Sequence, residues 1–377
     1  MTINVTKAYL PPLAEYTAYL EGIWERGWLT NNGPLVQQLE SELSQYLDNM
    51  HVQFTGNGTI ALQVAIKALG LTGEIITTPF SYVATTTAIL WENCIPVFVD
   101  IEDQTFCIDA TKIEAAITPL TTAILATHVY GYPCDVLAIE NIASRHNLKV
   151  IYDGAHAFGV RVHGRSLMSY GDLTTCSFHA TKLFHTVEGG AVIMNDEALA
   201  RKIWLYKSFG HIGEEYFTLG VNGRNSEFHA AMGLCNLPHV SNFIEKRRKL
   251  AELYRHELAG LPLQFPVSNE KSLEYNYAYF LVLFDSERRL LQVKEGLTAQ
   301  AVNTRRYFFP SLNQLPYNIG APCPVSEDAS SRALCLPFYH ELTPDEVRWV
   351  SRLVRNYHSL PLRCSNQVDI ANSPLTV

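Results

Sequence analysis

Short apolar runs alternate with stretches of helical periodicity between about residues 50 and 195. The runs EIITTPF (74–80), IPVFVDI (95–101), TAILATHVYG (122–131), LKVIYDGA (148–155) and GGAVIMND (189–196), each bounded by Gly, Pro or Asp, predict buried strands. Ile60–Leu69 and Val136–His146 predict helices between them. Continuous hydrophobicity is what a strand covered on both faces requires, so the pattern predicts an α/β fold with a mainly parallel sheet covered by helices. Ligand sites in such sheets lie beyond the carboxyl ends of the strands.

The texture changes near residue 240. SNFIEKRRKLAELYRHELAGL sets Ile244, Arg247, Ala251, Tyr254 and Leu258 at helical spacing, which predicts a long amphipathic helix linking two units. YAYFLVLF (277–284) predicts a strand. LTPDEVRWVSRLVRNYHSL opens with Thr343 as N-cap, Pro344 at the first helical position and Glu346 two residues later, a capping box, followed by the apolar stripe Val347, Val350, Val354, Tyr357. The expected organisation is therefore a large domain over residues 1–240 and a smaller α+β domain over 241–377, whose tail from about Leu362 has little to bury. A chain of 377 residues fits this division, since single cores stop growing beyond about 250–300 residues.

Composition narrows the function. With 47% hydrophobic and 18% charged residues and a net charge of −8, the chain reads as a soluble globular protein and not as a general nucleic-acid binder. Neither a secretory leader nor an apolar run of membrane-spanning length stands out, which predicts a cytoplasmic protein. The eight cysteines include no C-x-x-C pair, which predicts reduced thiols and no metal site.

Within SFHATKLFHTVEGGAV (177–192), Lys182 has no acidic neighbour and no second lysine or arginine from Cys176 to Val187. Such company predicts a partly buried amine, and burial favours the neutral form that condenses with an aldehyde. Three other stretches supply what a phosphorylated pyridine aldehyde needs. TGNGTIALQVAIKALG (55–70) places Gly56, Gly58 and Thr59 at a helix start, where free amides and the helix dipole favour a phosphate, although glycine before a helix is by itself only a turn signal. IYDGAHAFG (151–159) ends a strand on Asp153, which either pairs with a protonated ring nitrogen or caps the next turn, with His156 just after it. PFSYVATTTAI (79–89) offers Tyr82 at a strand end, as a stacking surface or as part of the core.

The order of these signals resembles fold-type I pyridoxal-phosphate enzymes. More narrowly, GWLTNNGPLVQQLE (27–40), NGTIAL (57–62), PVFVDI (96–101), YDGAHAFG (152–159), SFHATK (177–182), EGGAV (188–192), GVNGRNSEFHAAMGL (220–234) and CLPFYHELT (335–343) resemble, in order, the DegT/DnrJ/EryC1/StrS sugar aminotransferases. The resemblance implies a cofactor, pyridoxal 5'-phosphate, held covalently by Lys182, which then moves a proton. It implies Asp153 at the ring nitrogen, His156 (Gln in many relatives) near the phenolic oxygen, Gly58, Thr59 and Ser177 at the phosphate, Tyr82 on the ring and His179 beside the lysine. Asn222 would reach the phosphate site of a partner subunit, implying a homodimer with shared sites, and Arg224 matches a basic position nearby. One departure is Asn313, in RRYFFPSLNQLPY (305–317), where many members carry histidine in the segment expected to meet the nucleotide sugar. The implied partners are L-glutamate and a nucleotide-linked keto sugar, most similar to the branch acting at C4 of dTDP-4-keto-6-deoxyglucose in deoxyaminosugar and O-antigen biosynthesis. C3 amination, a UDP sugar, or a cofactor-bound regulatory protein are the alternatives; a dehydratase of this fold, with histidine for the lysine, does not match Lys182.

Overall fold

Alternate residues along each central strand are buried against different helices, which is why these strands read as unbroken apolar runs. Ile75, Ala123, Leu125, Ile151 and Val192 pack with one set of helices, while Ile76, Ile124, Ala126, Tyr152 and Ile193 face the other. The computed structural model describes residues 2–318 and 320–362; most of the tail expected to bury little, residues 363–377, lies outside the described residues.

Seven strands form the main sheet: β1 (His51–Thr55), β2 (Glu74–Thr77), β3 (Ile95–Phe98), β4 (Thr121–Thr127), β5 (Lys149–Asp153), β6 (Leu173–Ser177) and β7 (Gly190–Met194). Their order is β1-β7-β6-β5-β4-β2-β3. All pairs from β3 to β6 are parallel, while β7 is antiparallel to both β6 and β1. The expected mainly parallel, helix-covered sheet is therefore present. Two of its strands escaped the apolar pattern, however: β1 is HVQFT, and β6 is LTTCS, in which buried Thr174 and Thr175 disguise a central strand.

The covering helices on one face include α3 (Gly58–Ala68), α4 (Ala84–Trp91) and α6 (Glu197–Lys207); α1 (Leu13–Arg26), α2 (Pro34–Tyr46), α5 (Val136–His146) and α7 (Glu227–Asn236) belong with the other core. The long helix α8 (Val240–Glu257) then leads to a second apolar cluster. That cluster joins α9 (Glu287–Ala299), α11 (Pro344–Ser359) and the antiparallel pair β8 (Leu281–Leu283) and β9 (Ala333–Cys335), together with Ile3 from the other end of the chain. Helix α10 (Pro324–Arg332) precedes β9. The capping box at Thr343 is formed. The strand expected over 277–284 is confined to 281–283, where three residues pair with 333–335, and Tyr277, with φ 52°, is in a left-handed conformation that a strand does not admit. Among the described residues no helix is long and apolar enough to cross a membrane.

An edge strand leaves backbone groups unpaired, and β1 satisfies those of Phe54 with a buried ion pair. Glu40 Oε1 accepts the Phe54 amide at 2.7 Å, and Lys207 Nζ donates to both Glu40 Oε1 and the Phe54 carbonyl at 2.9 Å. The Lys207 side chain is only 2% exposed. Lys207→Met should therefore destabilise the protein by about 3–5 kcal/mol in urea unfolding by leaving the carboxylate unpaired, and the double variant with Glu40→Leu should recover part of that loss.

Candidate active site

The reversed direction of β7 brings several strand ends to one place. Thr55, Ser177 and Gly190 share a row, since Gly190 pairs with Thr55 on one side and with Ser177 on the other. The first turn of α3 follows two residues after β1 and packs onto that row so tightly that a Cβ on Gly190 would lie 2.6 Å from the backbone of Asn57, and one on Gly58 would lie 2.9 Å from the Ser177 Cβ. Side chains are excluded there by contact. Asn57 caps α3 by accepting the Ile60 amide at 2.9 Å, and the amides of Gly58 and Thr59 have no acceptor among the described residues.

A cavity of about 230 Å3 opens at this edge. Gly58, Thr59, Tyr82, Asp153, His156, Ser177, His179 and Lys182 all line it. Asn222 does not: it is exposed in the loop after α6, bridged through its backbone to Ser208, and its Oδ1 accepts from Arg224 Nε at 3.4 Å. Arg224 itself lies over the Phe209 ring.

Asp153 ends β5 and is 5% exposed. Its Oδ2 accepts from Thr85 Oγ1 at 2.8 Å and its Oδ1 from the Ala155 amide at 3.0 Å. Thr85 is in turn held by Ser81 at 2.8 Å, and Ser81 by Thr127 at 3.0 Å. Burial pushes the Asp153 carboxyl above its ordinary range, a push that these two donors and the Lys182 charge oppose. The result is a buried acid fixed by neutral donors, with no cation in ion-pair contact among the described residues.

Lys182 sits in the loop joining β6 to β7, its backbone turned by a bond to the His179 carbonyl at 2.9 Å. Its Nζ donates to the Tyr279 hydroxyl at 3.4 Å. Burial depresses its pKa below the ordinary 10.5, outweighing the opposing influence of Tyr307 and Asp153. His156 lies under aromatic rings, nearly parallel to Phe308 at 5.5 Å and edge-on to Tyr279 at 5.0 Å, and its Nδ1 accepts the Tyr130 amide at 3.2 Å. Burial, and secondarily the Lys182 charge, drives its pKa well down, so the ring is neutral. His179 is exposed, pairs with the Thr181 hydroxyl at 2.8 Å and has its Nε2 3.5 Å from Glu188. Tyr82, half-exposed just before α4, presents its ring to the cavity.

The reading of motifs missed Thr85 and Ser81, whose only trace is two hydroxyls one helical turn apart in SYVATT. It also missed Tyr279, Arg305, Tyr307 and Phe308, which come from the C-terminal part of the chain and line the same cavity. Asn313 is not among the lining residues. It is 4% exposed, accepts from Ser311 Oγ at 2.7 Å and donates to the Ala321 carbonyl at 3.1 Å and to Glu327 at 2.7 Å, and so ties its own loop together.

Comparison with known proteins places this site in a class. The solved structure of DesI, determined in the presence of its TDP-sugar product, superposes with a TM-score of 0.90 at 34% identity, covering 95% of this chain and 93% of that one. The fold is that of the aminotransferases, and the protein is an aminotransferase. Over residues 13–355 it matches the DegT/DnrJ/EryC1/StrS aminotransferase family, to which the chain belongs. A Shigella dysenteriae protein named dTDP-4-amino-4,6-dideoxy-D-glucose transaminase is 42% identical over 363 residues, spanning 94% of this chain and 98% of its own length. An Escherichia coli protein of the same name is 41% identical over 366 residues with the same coverage.

The depressed pKa of Lys182 has a consequence for stability. Between that depressed value and 10.5 the unfolded chain binds more protons than the folded one at this residue, so its contribution to stability rises with pH across that interval. Lys182→Met should raise the melting temperature of the cofactor-free protein at pH 7, and the gap to the parent should narrow as pH approaches 10.5. A gap independent of pH would show that the amine is not buried.

Proposed function

We propose that the protein is a pyridoxal-phosphate-dependent nucleotide-sugar aminotransferase that moves an amino group from L-glutamate to C4 of dTDP-4-keto-6-deoxyglucose, giving dTDP-4-amino-4,6-dideoxyglucose. The observation that carries this reading is a partly buried amine and a buried acid that has no cation partner among the described residues, in one cavity beside a helix start whose first two amides likewise have no acceptor among them. The names of the two similar transaminases support the substrate.

The residues present fit pyridoxal phosphate. When bound, it supplies an aldehyde for the amino group and a ring that withdraws electrons from the reacting carbon. The amides of Gly58 and Thr59 and the Ser177 hydroxyl would hold the phosphate, as a helix N-terminus favours an anion. Asp153 would keep the ring nitrogen protonated, with Thr85 and the Ala155 amide holding its oxygens in place. Tyr82 would cover the ring, and neutral His156 would stand beside its oxygen. Lys182 Nζ, its charged form disfavoured by burial, would take the proton from the substrate carbon and return it, with His179 close by. The aromatic residues Tyr279, Tyr307 and Phe308 line the same cavity and would limit the access of water to that proton.

The reading further includes a cytoplasmic homodimer in which Asn222 completes the partner subunit's phosphate site, and the division into cofactor-binding and smaller domains at about residue 240.

Incubation with L-glutamate and a panel of nucleotide keto sugars, followed by NMR of the products, tests the assignment. Amination at C4 of the dTDP sugar is expected; amination at C3, or turnover with UDP sugars alone, would reject the substrate. Lys182→Ala should abolish turnover. Asp153→Asn should lower it by roughly a hundredfold or more, about 3 kcal/mol of barrier, while retaining cofactor.

Shared sites make a separate prediction. Mixing Lys182→Ala and Asn222→Ala chains at limiting cofactor should restore activity, because the mixed dimer holds one site with both lesions and one with neither. Subunit exchange without any gain over the average of the two parents would place Asn222 at its own chain's site.

A further inference from the structure

Two adjacent arginines in the segment after Val302 are used differently. Arg306 serves the fold: its Nη2 donates to Glu287 at 2.7 Å and to the Ser331 carbonyl at 2.9 Å, and its guanidinium lies over Phe309. Arg305 is held by its backbone instead, which exchanges hydrogen bonds of 3.2 and 2.8 Å with Cys335 at the edge of β9. Its guanidinium rests over the Tyr307 ring, 4.5 Å from the centroid, and lines the active cavity. Unlike Arg306, it has no carboxylate or carbonyl partner among the described residues.

Arg305 and Lys182 are the only lysine or arginine side chains lining that cavity among the described residues. The cavity's carboxylates are otherwise engaged, Asp153 by Thr85 and the Ala155 amide, and Glu188 within 3.5 Å of His179. A guanidinium supported on a ring, with its donors free, is prepared for a planar or two-pronged anion at little cost in ordering. Every candidate cofactor ligand of this chain in the cavity lies between residues 58 and 182, whereas Arg305 arrives from the C-terminal part of the chain together with Tyr279, Tyr307 and Phe308.

We infer that Arg305 receives the anionic group of the substrate, either a carboxylate of the amino donor or the diphosphate of the nucleotide sugar. The inference rests on the aminotransferase reading above. Arg305 is a binding residue and takes no part in moving the proton.

Arg305→Met keeps the bulk of the stem, and Arg305→Lys keeps the charge without the fork. For each, KM is measured separately for L-glutamate and the keto sugar, and calorimetry follows the binding of 2-oxoglutarate and of thymidine 5'-diphosphate as probes. Because Arg305 is exposed, both variants should melt with the parent. Arg305→Met should raise KM for one substrate, and weaken the matching probe, by roughly 10- to 100-fold, with Arg305→Lys recovering only part. A loss confined to glutamate and 2-oxoglutarate identifies the carboxylate as the ligand, one confined to the nucleotide sugar and thymidine diphosphate identifies the diphosphate, and losses in both mean that the substrates share the residue. Folded variants whose KM values and probe affinities all stay within about twofold of the parent overturn the inference, even if kcat falls. A parent protein that aminates no keto sugar, yet loses a probe on Arg305→Met, overturns the aminotransferase substrate reading and leaves Arg305 as an anion receptor.

Discussion

One strand runs the wrong way, and the site depends on it. Because β7 is antiparallel to β6, the chain needs no crossover helix between them and returns across the carboxyl edge of the sheet as a loop, the loop that carries Lys182. Because β7 is also antiparallel to β1, the sheet extends by a strand whose carboxyl end joins the same edge and feeds directly into α3. A parallel β7 would need a covering connection in place of that loop. The backbone contact of Gly190 with Asn57 and Gly58 is the physical expression of this arrangement and explains why β7 opens on glycine, while Gly189 before it is crowded by Thr186 and Phe54 instead.

Burial acts in opposite senses on the two ionisable groups of the cavity. It raises the Asp153 carboxyl and lowers the Lys182 amine, so each is moved toward neutrality by the same desolvation. They are treated differently by their neighbours. Thr85 and the Ala155 amide stabilise the carboxylate, whereas among the described residues Lys182 Nζ has one hydrogen-bond partner, the Tyr279 hydroxyl. The donors on Asp153 thus offset part of the burial that raises its carboxyl, while burial remains the largest influence on Lys182. It also means that the most reactive part of the molecule subtracts from its stability.

Much of this was visible in the order of residues. The α/β alternation, the helix over Val136–His146 and the capping box at Thr343 follow from local periodicity and cap chemistry, and they appear as expected. Local signals failed where tertiary contacts decide. Thr174 and Thr175 are polar by letter but fully enclosed in β6, and the strand that the aromatic run from Tyr277 suggested shrinks to the three residues that find a partner in β9, with Tyr277 itself at positive φ. Asp153, Lys182 and the glycines of α3 were legible because each stands at an element boundary. Tyr279 and Arg305 were not named, since no local periodicity or cap beside them indicates that they will reach a cavity whose other residues, Tyr307 and Phe308 apart, end at Glu188; only the family resemblance pointed to the segment 305–317.

The pairing of β1 with β7 also bears on how the chain is made. On the ribosome β1 emerges early, but its only sheet partner is complete at Met194, after all the intervening strands. Until then β1 has no ladder partner, and the Phe54 carbonyl on its outer edge waits for Lys207, which arrives later still. The segment of β1 thus stays unpaired through much of synthesis, and the row of Thr55, Ser177 and Gly190 that borders the cavity closes only once β7 has emerged.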